Sequence, residues 1–179
     1  MNLIQSPTSI KKIAIIGAEC TGKTTLCQDL AAYFNTVWVG EYMRHYLKNK
    51  PQGYVCQYGD LLPIAIGQIQ QETHTSKIAN RYLFCDTALF ELMVYAYWYF
   101  GRCPDKLVQA VTQAHYDLVL LTDEQGVCWV DDGLRDLPNG RADMRAFFIQ
   151  KLHQFNIAYH RIGGDRQQRV LAVKQLLTP

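Results

Sequence analysis

One stretch constrains this chain more than any other: Gly17-Ala-Glu19-Cys20-Thr21-Gly22-Lys23-Thr24-Thr25. It fits G-x-x-x-x-G-K-[ST] without deviation. The apolar, partly β-branched run KIAII at 12–16 precedes it, which predicts a buried parallel strand. Helical apolar spacing at Leu26, Leu30, Ala31 and Phe34 follows it, which predicts a helix over 23–34. A strand that turns through glycines into a helix points its loop N–H groups at one spot and adds the positive helix end. That arrangement cradles phosphate oxygens. The whole loop, Gly17, Glu19 to Thr25, is therefore expected to hold the phosphates of ATP. Lys23 is expected to reach the β- and γ-phosphates, and the Thr24 hydroxyl to ligate Mg²⁺.

The rest of the chain repeats the alternation. Strands are predicted at 36–39, 82–85, 117–121 and 157–160, and helices at 42–47, 61–80, 88–100, 106–115, 142–155 and 166–177. Strands separated by helical crossovers imply an α/β fold: a three-layer parallel sheet of about five strands with helices on both faces. The 179 residues suit one domain, 1–179, and bury roughly 70% of the unfolded surface. Residues 1–10 read as a flexible leader without periodicity, and 126–141 as a long loop of the kind that serves as an active-site lid.

Composition removes several function classes. Hydrophobic residues are 49% and charged residues 19%, the balance of a globular chain. The net charge of +2 is close to neutral, and basic residues are scattered up to Arg135, so nucleic acid is not an expected partner. The six cysteines form no C-x-x-C pair, which argues against a zinc ribbon or a thioredoxin motif. The longest apolar stretch, 88–100, contains Glu91 and is too short to span a bilayer, so no membrane association is expected. No apolar run follows a basic start, so no secretory leader is expected. A reducing, cytoplasmic setting follows. Oligomeric state is not readable.

In open parallel sheets, ligands bind beyond the carboxyl ends of the strands. Glu41 follows the second predicted strand in Glu41-Tyr42-Met43-Arg44, and Asp86 follows the third in Cys85-Asp86-Thr87. One suits Mg²⁺ or its waters, and the other suits the proton of an attacking hydroxyl. By analogy with folds that carry such a loop, in which the third strand often lies beside the strand before the loop, Asp86 is expected to be the principal acid. Its alternative is a helix N-cap, and that of Glu41 is a first-turn acid beside the helix dipole. Arg44 either touches substrate, pairs with Glu41 or lies on a solvated face.

The loop beyond the fourth strand holds Trp129, Asp131, Asp132 and three arginines, Arg135, Arg141 and Arg145. Transfer of a phosphoryl group spreads negative charge over equatorial oxygens, which Arg forks stabilise. A lid carrying them also excludes water, as a kinase must and a hydrolase need not. Arg135 is the expected catalytic arginine and Arg141 an ATP contact. The alternative for all three is a solvated loop whose arginines offset Asp136 and Asp143. Trp129, Asp131, Asp132, Glu41, Tyr42 and Arg44 are the expected substrate contacts. A flat cationic ring stacked on an aromatic would gain a cation–π contribution of order 1 kcal/mol. Tyr95 to Phe100 are expected to be ordinary core.

Four stretches, GAECTGKTTL, EYMRHY, LFCDTALF and above all WVDDGLRDL, resemble the ribosylnicotinamide kinase domain of the NadR-type NAD-biosynthesis proteins. The resemblance runs from about residue 12 to about 164 and implies the P-loop nucleoside and nucleotide kinase fold. It implies ATP, Mg²⁺ and nicotinamide riboside as reactants, with Gly22, Lys23, Thr24 and Thr25 on ATP. It carries Asp86 over as the acid after the third strand, Glu41 and Arg44 as the E-Y-x-R segment, and Asp132 and Arg135 as lid residues. The chain departs from that pattern at Cys20, where the family tends to have a serine; a thiol is a weak donor. The DNA-binding and adenylyltransferase domains of the full-length proteins have no room in these 179 residues, so neither activity is expected.

Overall fold

A computed structural model describes residue 3, residues 9–130 and residues 139–178 of the chain. Its elements in order are β1 (Lys11–Ile16), α1 (Lys23–Tyr33), β2 (Val37–Val39), α2 (Tyr42–Lys48), a 3₁₀ turn (Tyr58–Asp60), α3 (Leu61–Ser76), β3 (Tyr82–Asp86), α4 (Leu89–Phe100), α5 (Asp105–Gln113), β4 (Leu118–Thr122), α6 (Arg141–Gln154), β5 (His160–Ile162) and α7 (Arg166–Leu177). The five strands form one parallel sheet in the order β2-β3-β1-β4-β5. The three-layer α/β architecture expected from the sequence is therefore present.

β1 shows why the run KIAII had to be central. Successive side chains point to opposite faces, so a strand covered on both sides must be apolar at every position. Ile13 and Ile15 pack with Leu26, Leu30 and Val173 of α1 and α7, whereas Ala14 and Ile16 pack with Ile64, Met93 and Phe148 of α3, α4 and α6. None of these four β1 side chains is more than 1% exposed. At about 1.5–3 kcal/mol for each buried isoleucine, this strand anchors both halves of the core.

Register fixes the edge that matters. Ile15 pairs with Asp86 and Ile16 with Leu121, so the loop that starts at Gly17, the Asp86 carboxylate and Thr122 emerge side by side at the carboxyl edge of the sheet. Val39 pairs with Cys85, which brings Gly40 and Glu41 to the same edge.

Two elements differ from the sequence reading. The third helix ends at Ser76 rather than 80, because the chain must turn back into β3. Arg81 takes a left-handed φ of 61° and the Asn80 amide donates to Thr36 Oγ1 at 2.9 Å. The last strand starts at His160, not 157. The Ile157 amide donates to the Leu152 carbonyl at 2.9 Å, closing α6 after Asn156 at a left-handed φ of 53°. Arg141, read from the sequence as part of the lid, is the first residue of α6. Among the described residues, no helix is long and apolar enough to cross a membrane.

Candidate active site

The loop between β1 and α1 is shaped by contacts that only glycine permits at its start. Gly17 has φ +146°, and a Cβ there would lie 2.6 Å from Thr122 Oγ1. Thr122 takes part in the closure: its hydroxyl donates to the Ile16 carbonyl at 3.1 Å and shares a 2.7 Å hydrogen bond with Thr21. Thr21 is 1% exposed, so its hydroxyl is spent on the loop's own frame. Cys20 turns its thiol to the far side of the loop, against the Cys128 carbonyl at 3.3 Å and the Val130 amide at 3.2 Å. The weak donor thus meets the root of the long loop. Glu19 is half-buried beside it.

Lys23 is buried, and its ammonium donates to the carbonyls of Gly17 at 2.8 Å and Ala18 at 2.9 Å. It also faces Glu91 Oε1 at 3.2 Å. Burial works to lower the Lys23 pKa, but the acids Glu91, Asp86 and Glu41 outweigh it and raise the value. Glu91 is the acid the sequence reading treated only as an interruption of an apolar helix. It is 1% exposed, accepts the Gly17 N–H at 3.0 Å and accepts from the Thr87 hydroxyl at 3.3 Å. Burial pushes its carboxyl up to about 8, against the pull of Lys23. A lone acid at the third position of a helix, otherwise apolar and directly after Asp86-Thr87, was the available signal.

Asp86 ends β3 with its carboxylate on the phosphate loop. Its Oδ2 accepts from the Thr24 hydroxyl at 2.5 Å. Its Oδ1 is buried with no hydrogen-bond partner among the described residues. Burial raises its pKa, and Lys23 and Thr24 offset this only in part. An orphaned carboxylate oxygen beside a threonine hydroxyl is the donor set a hard cation prefers. The N-cap alternative fails geometrically: α4 is capped at Ala88, without a side-chain hydrogen bond.

Glu41 occupies the N-cap position of α2 and binds Arg44 Nε at 2.9 Å, the pairing weighed from the sequence. Glu41, Met43, Ile64, Gln68, Thr87 and Tyr95 line a pocket of about 10 Å³, room for about one water. Tyr42 lies against α3 so closely that a Cβ on Gly67 would be 2.0 Å from its ring. Tyr95, expected to be plain core, reaches this pocket.

On the other flank, Gly22, Thr25, Gly126, Val127, Gly164 and Arg169 border a cleft of about 160 Å³. Arg141 closes over its edge, donating to the Cys20 carbonyl at 3.1 Å and the Val127 carbonyl at 2.9 Å, with its guanidinium 5.7 Å from the Trp129 ring. Arg141 and Trp129 thus meet each other and the phosphate loop; among the described residues, Trp129 is not part of the Glu41 pocket. Arg145 instead binds Asp123 at 3.1 Å and Glu124. Asp131, Asp132 and Arg135 lie outside the described residues.

The structure brings Lys23, Thr24, Asp86, Glu91 and Glu41 to one focus, with a tight pocket on one side and an open cleft on the other. Known proteins are similar to this chain in sequence or in fold. The trifunctional NAD biosynthesis/regulator protein NadR of Escherichia coli K12 is 32% identical over 96% of this chain, which spans 43% of that protein's length. A crystal structure of NadR in complex with NR superposes with a TM-score of 0.73 at 22% identity, over 94% of this chain and 51% of that one. Thymidylate kinase from Candida albicans superposes with a TM-score of 0.67 at 10% identity, over 96% of this chain and 92% of that one. The fold is that of the P-loop kinases. The model of the AAA domain family AAA_28 matches residues 12–169, and the chain belongs to that family.

Proposed function

We propose that the chain is an ATP-dependent kinase that phosphorylates nicotinamide riboside, giving nicotinamide mononucleotide and ADP. The observation that carries this reading is the meeting of the phosphate loop with two strand-tip acids: Asp86 on Thr24 at 2.5 Å, and Glu41 in the wall of the adjoining pocket. The 32% identity to NadR and the similarity to NadR in complex with NR support the choice of acceptor. In this reading residues 1–179 form a single kinase domain with a lid over 126–141, working in the cytoplasm.

The site residues divide the work. The loop amides and the α1 N-terminus hold the triphosphate. Lys23 leaves the carbonyls of Gly17 and Ala18 for the phosphate oxygens. Thr24 and Asp86 would hold Mg²⁺, which supplies charge neutralisation on the phosphates. Glu41 receives the proton of the acceptor hydroxyl, and that oxygen bonds to the γ-phosphorus as the bond to the β-phosphate oxygen breaks. Arg141, already on the Cys20 carbonyl, turns to the phosphates, and Arg135 joins it from the lid. The acceptor pocket must widen before the riboside enters. Met43 of α2 and Tyr95 of α4 line it beside Glu41 and are the side chains that must shift.

Thymidylate kinase shares the fold, so a different nucleoside or nucleotide acceptor is the competing reading. ADP release from purified protein with ATP and Mg²⁺ separates them. Stimulation by nicotinamide riboside supports the proposal. Stimulation only by another nucleoside or nucleotide overturns the acceptor, and no release despite ATP binding overturns the kinase reading.

A further inference from the structure

Arg169, on the last helix, is remote in sequence from every motif of the site, yet it is 4% exposed and points beneath the phosphate loop. Among the described residues its four side-chain hydrogen bonds all go to main-chain carbonyls, and these belong to three separate loops. Nη1 donates to Thr21 of the phosphate loop at 2.6 Å. Nη2 donates to Asp123 at 2.8 Å and Gln125 at 3.0 Å in the segment after β4. Nε donates to Gly164 at 2.8 Å in the loop after β5. A Cβ placed on Gly22 would lie 3.4 Å from Nη1, so the guanidinium packs directly under the cradle.

A buried cation bound to carbonyls rather than to a carboxylate is costly, and an apolar side chain would fill the same space at less cost. The Asp123 carboxylate is occupied by Arg145 and Arg161 instead. What only this planar fork supplies is simultaneous, directional bonding to three chain segments; the compact ammonium of lysine cannot span them. Two of those segments, with Gly126, Val127 and Gly164, border the 160 Å³ cleft, and the third is the cradle.

We propose that Arg169 is a positioning residue for the nucleotide: it fixes the spacing between the triphosphate cradle and the loops at 123–127 and 163–164, so that one ATP molecule fills both. This rests on the ATP-binding reading above. Two half-sites held in register act on one ligand as a chelate, whereas half-sites free to drift lose that gain.

The test compares a ligand that spans both half-sites with one that fills only the cradle. In Arg169→Lys the charge remains and the fork is lost. Affinity for a non-hydrolysable ATP analogue should fall about 10- to 100-fold, while affinity for inorganic tripolyphosphate should fall less than about threefold. Equal losses for the two ligands, or no loss for either, overturn the proposal. Should the variant fail to fold, hydrogen exchange on the wild-type protein decides. Tripolyphosphate should slow exchange of amides in 123–127 and 163–164 as well as in 17–22, and protection confined to 17–22 overturns the coupling. Wild-type protein that binds tripolyphosphate but not the ATP analogue refutes the nucleotide reading itself, and the proposal with it.

Discussion

Glu91→Gln tests whether a neutral acid sits beneath the phosphate loop. Burial lifts the folded-state pKa of Glu91 from an ordinary 4.5 to about 8. Below pH 4.5 the carboxyl is protonated in both folded and unfolded chains and costs nothing. As pH rises toward 8 the unfolded chain ionises first, so the folded state loses stability steadily and the loss levels off above 8. At about 1.4 kcal/mol per pKa unit the full span comes to about 5 kcal/mol, of which about 3–4 kcal/mol falls between about pH 5 and 8. The glutamine side chain cannot ionise and can still accept the Gly17 N–H. Urea unfolding followed by tryptophan fluorescence at several pH values from about 5 to 8 should therefore show near-equal stability at the acid end. The variant should then gain about 3–4 kcal/mol on the wild type by about pH 8. The opposite picture is a carboxylate ionised throughout as the partner of Lys23. Its loss would cost about 3–5 kcal/mol at every pH, and a pH-independent destabilisation of that size refutes the reasoning. A kinetic counterpart follows: above about pH 8 the ionised Glu91 competes with phosphate for Lys23, so the KM for ATP should rise in the wild type and stay flat in the variant.

Lys23→Ala should reduce ADP release to background while the circular dichroism spectrum stays that of the folded wild type; retained activity would show that the phosphate cradle is misassigned. Asp86→Asn should raise the Mg²⁺ concentration for half-maximal activity and lower kcat at fixed Mg²⁺; a wild-type rate with wild-type Mg²⁺ dependence would reduce Asp86 to a structural group. Gly67→Ala pushes a methyl into the Tyr42 ring, where the gap is 2.0 Å, so stability should fall by about 1–3 kcal/mol. The KM of the acceptor should rise while that of ATP does not, and equal changes in both would show that Tyr42 does not shape the acceptor pocket.

What was legible in the sequence was whatever depends on local pattern. The glycine spacing and the apolar run before it give the cradle, and the position of Asp86 after a buried strand places it on Thr24. These follow from backbone geometry that repeats in any chain. Glu91, Thr122 and Arg169 were not legible, because each acts across a large sequence separation on a main-chain group that no motif records: the Gly17 amide, the Ile16 carbonyl and the Thr21 carbonyl. Helical periodicity reports which face is buried and is silent on which buried position is polar. Trp129 is expected from its neighbours in sequence to be an acceptor contact; among the described residues its ring lies near Arg141, a neighbour that sequence adjacency does not suggest.

The two strand-tip acids also need a reason to stay at a fixed separation, since Glu41 and Asp86 sit on different loops. Gln68 of α3 supplies it. Its Oε1 accepts from the Tyr42 amide at 3.0 Å, and its Nε2 donates to the Thr87 carbonyl at 3.2 Å. Each contact is one residue beyond an acid. The first satisfies an amide at the start of α2 that the N-cap Glu41 side chain leaves uncapped. Gln68 is held in turn by Glu72 at 3.3 Å, and Glu72 by the ammonium of Lys12 at 2.6 Å and the Tyr116 hydroxyl at 2.9 Å. A buried polar thread therefore runs from Lys12 of β1, the strand that launches the phosphate loop, to the main chain one residue beyond each acid. Such a thread is costly to assemble and loses its value if any member is unsatisfied. It ties the first residue of α2, and with it Glu41, to the end of β3, so that the two acids keep their distance from the cradle.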